Sequence, residues 1–129
     1  MRSTILTKEQ VSKAIKGLVF KVLTDNYYWT VDIFEWRKIA VNFLKTAKSY
    51  QKDKYDCDDF ATNFKCFCVS NYGLNAIGIV IDWISRHAYN CIVDSTREFY
   101  LLEPQTGDIF TLKKRRKRSY FYHFSIVLF

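Results

Sequence analysis

The sequence predicts an α+β domain whose N-terminal helices pack on one antiparallel sheet of about five strands. Three observations predict it. Helical spacing of apolar residues is confined to the part before Gly73, runs rich in β-branched and aromatic residues follow it, and the turns between those runs are short, which favours antiparallel neighbours. A chain of 129 residues that is 49% hydrophobic suits a single domain over residues 1–129 with one sizeable core.

The first helix is expected from "TKEQVSKAIKGLVFKVL". Thr7 stands three residues before Gln10 in a capping-box pattern, and Val11, Ala14, Ile15, Leu18, Val19 and Val22 follow at helical spacing. "DNYYW" breaks that period. Thr30 or Asp32 can cap a second helix with Ile33, Trp36, Ala40, Phe43, Leu44 and Ala47 inward, ended by "KSYQKDK". Asp56 can cap a third, which leaves Cys57 at its first position and buries Phe60, Ala61, Phe64, Phe67 and Cys68. Gly73 is a suitable stop, since it adopts positive φ without a Cβ clash.

The strands are expected in "NAIGIVIDW", "HAYNCIV", "EFYLLE", "DIFTL" and "YFYHFSIVLF". Of the three tryptophans, Trp36 fits the buried stripe of the second helix, while Trp29 and Trp83 flank turns and are assigned to packing.

The net charge of +7 comes almost entirely from "KKRRKR" at 113–118, so the excess is a local run and the remainder is close to neutral. Such a run is read first as a solvated turn and second as a contact for phosphate or another acidic partner. No apolar stretch is long enough to span a bilayer, and the N-terminal residues lack the apolar core and cleavage site of a secretion signal, which predicts a cytoplasmic protein. The four cysteines are too sparse for a disulfide scaffold, and Cys66 and Cys68 on a helix point to different faces.

Cys57 carries the chemical interest. The positive end of a helix dipole favours a thiolate, and a thiol nucleophile needs a base in reach and a third group to orient that base. Of the two histidines, His87 opens a strand and faces a cleft more readily than His123, which lies among aromatics. If "DST" is a three-residue loop, Val93 pairs with Arg97 and His87 lies opposite Glu103 on one face of the sheet. A loop one residue longer would place them on opposite faces. Gln105 follows Pro104 at the same edge, where an amide can donate to an oxyanion.

"YDCDDFA", "SRHAYNCIV" and "LLEPQTG" together resemble the catalytic blocks of papain-like and transglutaminase-like cysteine peptidases, nearest the protease domain of the fairy-ring mushroom agglutinin and its bacterial and phage relatives. The resemblance covers residues 54–107 and implies a papain-like/transglutaminase-like core. It implies a cysteine hydrolase with Cys57 as nucleophile, His87 as general base, Glu103 as orienting acid and Gln105 assisting, acting on a peptide or protein substrate. Nothing in the chain resembles that agglutinin's sugar-binding repeats, so no lectin activity is carried over. The same resemblance makes calcium a candidate ion at Asp58 and Asp59, although no cofactor is required and Asp56, Asp58 and Asp59 are read first as backbone caps. Two other readings compete: a transglutaminase-like acyl transferase on the same residues, and an inactive binding module that uses 113–118 to contact nucleic acid or an acidic partner.

Overall fold

Thr7 closes the first strand, β1 (Thr4–Thr7), and caps the first helix, α1 (Lys8–Ala14). Its hydroxyl accepts from the Gln10 N–H at 3.2 Å, and the Gln10 side chain accepts from the Thr7 N–H at 3.0 Å, so the capping box forms as its spacing predicts. The helix nevertheless ends at Ala14. The computed structural model, which describes residues 1–114 and 120–129, shows Ile15 already extended and Gly17 at φ 91. A Cβ at Gly17 would stand 2.7 Å from the Tyr122 ring, so the chain turns there under close packing. The expected remainder of that helix becomes a strand, β2 (Phe20–Val22), and "DNYYW" enters another, β3 (Tyr27–Thr30). Pairing with distant strands overrides the local helical period.

The next two helices keep their predicted starts. In α2 (Ile33–Thr46) the Asp32 carboxylate accepts from the Glu35 N–H at 2.9 Å, and Trp36, Ile39, Ala40 and Phe43 are buried. In α3 (Cys57–Tyr72) Cys57 is the first helical residue, and Gly73 ends the helix at φ 65 with its N–H on Val69. Five strands follow: β4 (Ile77–Asp82), β5 (His87–Val93), β6 (Phe99–Glu103), β7 (Asp108–Phe110) and β8 (Ile126–Leu128). A 3-10 turn spans Leu112–Lys114.

The strands form a six-stranded sheet in the order β2-β8-β4-β5-β6-β7 and a separate two-stranded sheet of β1 and β3. The expected single antiparallel sheet is therefore corrected, because β2 joins β8 in parallel and makes the main sheet mixed. The helices also divide between its faces. Ile77, Ile92 and Leu102 pack against Trp36, Phe43, Phe64 and Cys68 of α2 and α3. On the other face, Tyr89, Cys91, Phe99 and Leu101 pack with Val11 of α1, Leu6 and Tyr28 of the small sheet, and Tyr122 and Phe129. Burying apolar area on both faces makes β5 apolar almost throughout. Gly78 is required there, since a Cβ would lie 2.7 Å from the Phe129 ring and 3.0 Å from the Cys91 sulfur.

Register decides what the sheet brings together. Val93 pairs with Phe99, not Arg97, because the β5–β6 loop is longer than three residues. Asp94 organises that loop: one carboxylate oxygen accepts from the Thr96 N–H, the Thr96 hydroxyl and the Glu98 N–H at 2.6–3.0 Å, with Arg97 at φ 67. The shift from the expected register is two residues, so side-chain parity is unchanged and His87 and Glu103 still share a face.

Candidate functional site

His87 at the start of β5 and Glu103 at the end of β6 are joined by a 2.6 Å bond from Nε2 to Oε2, with the His87 side chain 22% and the Glu103 side chain 7% exposed. The same Glu103 oxygen accepts from the Tyr120 hydroxyl at 3.0 Å, while its other oxygen accepts from the Gln105 N–H at 3.2 Å. Gln105 thus acts on Glu103 through its backbone, and it is among the residues that line the cleft. The Tyr120 ring fixes the imidazole from the side, 5.7 Å from it, and is itself braced by Tyr89 at 4.9 Å and Phe110 at 5.0 Å.

Sequence reasoning did not single out Asp82, Arg86 or Tyr120. Asp82 is 1% exposed at the end of β4. One of its oxygens accepts from the Ser85 N–H at 3.0 Å, and the other takes the Tyr89 hydroxyl at 2.9 Å and the Phe121 N–H at 2.7 Å. The Ser85 hydroxyl also accepts from Phe121 N–H at 2.6 Å. These bonds tie the β4–β5 turn to the segment that carries Tyr120, and they set Arg86 at φ 52 at the cleft mouth. An aspartate three residues before a serine at a strand end was the available signal for this turn.

The cleft has a volume of 430 Å³ and is lined by Arg86, His87, Glu103, Gln105, Thr106 and Tyr120 among others. A second hollow of 340 Å³ shares Glu103, Thr106 and Tyr120 and adds Phe110 and Lys114. Together they offer carboxylate, amide, hydroxyl and cationic groups beside aromatic rings, within the size range of small-ligand sites.

Cys57 stands apart in bonding. It is half-buried, and no hydrogen bond joins it to His87. Asn90 of β5 donates to the Ala61 carbonyl at 2.9 Å, and Lys65 to the Ile77 carbonyl at 2.8 Å. Since Ile77 pairs with Ile92, α3 and β5 run the same way, which puts the Cys57 end of the helix toward the His87 end of the strand. His87 and Glu103 belong, however, to the face of Tyr89 and Leu101, opposite the one α3 covers. The sheet joins His87 to Glu103, and the thiol of Cys57 takes no part in that bond. His123 lies elsewhere, its Nδ1 accepting from the Leu18 N–H at 3.3 Å.

Asp56, Asp58 and Asp59 each offer an oxygen, all within 4.8 Å of one another. The Asp59 carboxylate accepts from the Asp56 N–H at 3.2 Å, and the Asp56 carboxylate from the Asp53 N–H at 3.1 Å. A carboxyl-to-carboxylate bond links Asp56 and Asp58, holding Asp56 below and pushing Asp58 above the usual carboxylate range. Of the basic run, Lys113 and Lys114 end the 3-10 turn, and the residues beyond Lys114 lie outside the described residues. Among the described residues no helix is long and apolar enough to cross a membrane.

A family model for the ricin-type beta-trefoil lectin C-terminal domain matches residues 4–122. Among curated proteins no sequence matches the chain. The fold is similar to the solved structure of PSL1a in complex with E64, at a TM-score of 0.74 and 22% identity, over 97% of this chain and 51% of that one. It is also similar to Polyporus squamosus lectin bound to the human-type influenza-binding epitope Neu5Aca2-6Galb1-4GlcNAc, at 0.68 and 22%, over 97% of this chain and 49% of that one. The chain thus spans about half the length of the structures it matches.

These matches correct the reading drawn from the three short blocks. The blocks lie within residues 54–107, whereas the family match extends through the strands and helices before them, and one of the solved neighbours is a lectin. The papain-like/transglutaminase-like assignment, the cysteine hydrolase and acyl transferase readings, the peptide or protein substrate and the nucleic-acid alternative give way to this relationship. The chain belongs to the ricin-type beta-trefoil lectin C-terminal domain family.

Proposed function

We propose that this chain is a glycan-binding domain and that its ligand site is the cleft around His87 and Glu103. The observation that carries the reading is the convergence of buried, mutually bonded polar groups and an aromatic wall in one open cleft. Sugars present hydroxyl rows on one side and C–H faces on the other. A site for them needs fixed donors and acceptors beside flat rings, and Glu103, His87, Gln105 and Tyr120 supply both. Family membership and the glycan-bound state of Polyporus squamosus lectin support the class of ligand. Within this reading residues 1–129 act as one domain and require no cofactor.

Cys57, His87, Glu103 and Gln105 are taken as contact residues of one ligand site, with Cys57 approaching from the end of α3. The complex of PSL1a with E64 makes E64 a second probe for that end of the cleft.

The test is titration calorimetry with Neu5Aca2-6Galb1-4GlcNAc and its asialo counterpart, followed by E64, on the native chain and on Glu103→Gln. Saturable glycan binding that Glu103→Gln weakens supports the proposal. A folded chain that binds neither glycan overturns it, and E64 binding without glycan binding would assign the cleft to a different ligand.

A further inference from the structure

We propose that the turn between β4 and β5 is a contact for anionic lipid surfaces, with Trp83 and Ile84 entering the headgroup region and nearby cations meeting the lipid charge. This contact is independent of the glycan site. Trp83 and Ile84 are 63% and 57% exposed in the turn, and Phe121 is 44% exposed. Phe121 stands beside the turn because its N–H donates to Asp82 at 2.7 Å and to the Ser85 hydroxyl at 2.6 Å. Three large apolar side chains are thus left to solvent at one place, a grouping that marks a contact surface more than single exposed residues do.

The turn itself does not need apolar residues at 83 and 84. Its ends are held by Asp82, which accepts from the Ser85 N–H at 3.0 Å and from the Tyr89 hydroxyl at 2.9 Å, so the frame is fixed without them. A fixed frame presents the Trp83 and Ile84 side chains with little backbone freedom left to lose on contact. A tight turn is also convex. A lipid surface surrounds a convex tip without a matching pocket, and a tryptophan ring suits the boundary between water and acyl chains.

Charge gives an independent reason to choose an anionic surface. Asp82 and Glu103 are buried, so the exposed charges lining the cleft and the hollow beside it are Arg86, Lys114 and Asp108. Asp108 accepts from the Thr106 hydroxyl at 2.9 Å. Lys113 is exposed next to Lys114, and the two open the basic run that carries most of the net charge of +7. Exposed cations therefore outnumber the one exposed acid around Tyr120, the residue that precedes Phe121. Apolar side chains at a tip with cations behind them match a headgroup layer that is negative outside and apolar beneath.

The experiment measures flotation and tryptophan fluorescence with vesicles of phosphatidylcholine alone and of an equal mixture with phosphatidylserine, at low and high salt. It uses the native chain, Trp83→Ser with Ile84→Ser, Lys113→Gln with Lys114→Gln, and Trp29→Ser, each checked for its fold by circular dichroism. Trp29 lies on β3 and is 39% exposed, so it controls for the loss of an exposed tryptophan elsewhere. The native chain is expected to bind the mixed vesicles about tenfold or more tighter than phosphatidylcholine alone, as a few cations near an anionic surface allow, and to lose that preference at high salt. Its fluorescence should shift to the blue on binding. Trp83→Ser with Ile84→Ser should lose both the shift and most of the binding, Lys113→Gln with Lys114→Gln should narrow the lipid preference, and Trp29→Ser should keep all three. Equal binding by the native chain and the turn variant would overturn the proposal. Vesicle binding without a blue shift that heparin abolishes would replace it with a plain polyanion contact. A folded native chain that floats with neither vesicle would overturn it as well, and each of these results leaves the glycan titration to be judged on its own.

Discussion

His87 and Glu103, sixteen residues apart on neighbouring strands, share a 2.6 Å bond whose acceptor oxygen also takes the Tyr120 hydroxyl. One oxygen serving two donors makes the three side chains a unit, so their contributions will not add. Glu103→Gln is expected to lower stability by about 1–3 kcal/mol, because two buried donors lose a charged acceptor. Tyr120→Phe should cost less. A double-mutant cycle by urea unfolding should show a coupling of about 0.5–3 kcal/mol between residues 103 and 120. Strict additivity would mean that the unit is not formed in solution.

Asp82 carries a larger structural burden than its position at a strand end suggests. Three donors converge on a carboxylate that is 1% exposed, and two of them are backbone N–H groups that no side-chain substitution can remove. Asp82→Ala should therefore cost about 1–3 kcal/mol, the range for stranding a buried donor. Asp82→Asn, which retains an acceptor, should recover part of it. Thermal unfolding of the two variants checks the order, and equal midpoints for both and for the native chain would refute it.

What was legible in the sequence was what short-range chemistry decides. Asp32 and Asp56 mark helix starts because cap and helix are neighbours in the chain, and Gly73 marks a stop for the same reason. β5 matches its apolar run from His87 to Val93. The stretch 18–22 was misread because its helical spacing is real, while its strand partner Ile126–Leu128 lies more than a hundred residues away and leaves no local trace. His87 and Glu103 meet although the loop between their strands was counted wrongly, since Asp94 lengthened it by an amount that preserved parity. Trp29 and Trp83, assigned to packing, are 39% and 63% exposed, because their neighbours in sequence do not reveal which side of a short strand or turn is covered. Of the cleft, Arg86 and Tyr120 were illegible: one depends on a turn, and the other on a segment that reaches β6 only in three dimensions.

The cysteines make a separate test of the packing. Cys68 and Cys91 are buried and burial pushes both thiols up, whereas Cys66 is exposed and Cys57 half-buried. Brief treatment with iodoacetamide at neutral pH should alkylate Cys66 and Cys57 and spare Cys68 and Cys91 until the chain is unfolded. Peptide mass spectrometry reads this directly. Early labelling of Cys91 would contradict the sheet packing around Gly78 and Phe129.

The acidic group at the start of α3 yields the last prediction, on whether it needs a cation. Its carboxylates already have partners: Asp59 takes the Asp56 N–H, Asp56 takes the Asp53 N–H, and Asp58 shares a bond with Asp56. A calcium ion would need further oxygen ligands than these three side chains supply. The two shifts have opposite consequences for stability. Asp56, held below its usual range, contributes above the unfolded carboxylate range and loses that contribution as pH falls. Asp58, raised, contributes at low pH and loses that contribution as pH climbs through its folded value. Internal pairing of this kind is self-sufficient, so neither a chelator nor millimolar calcium should move the thermal midpoint at neutral pH. Asp58→Asn should keep one donor toward Asp56 and make the midpoint less sensitive to pH across the acid range. Calcium-dependent stabilisation that Asp58→Asn removes would reverse this conclusion and make the collar a cation site.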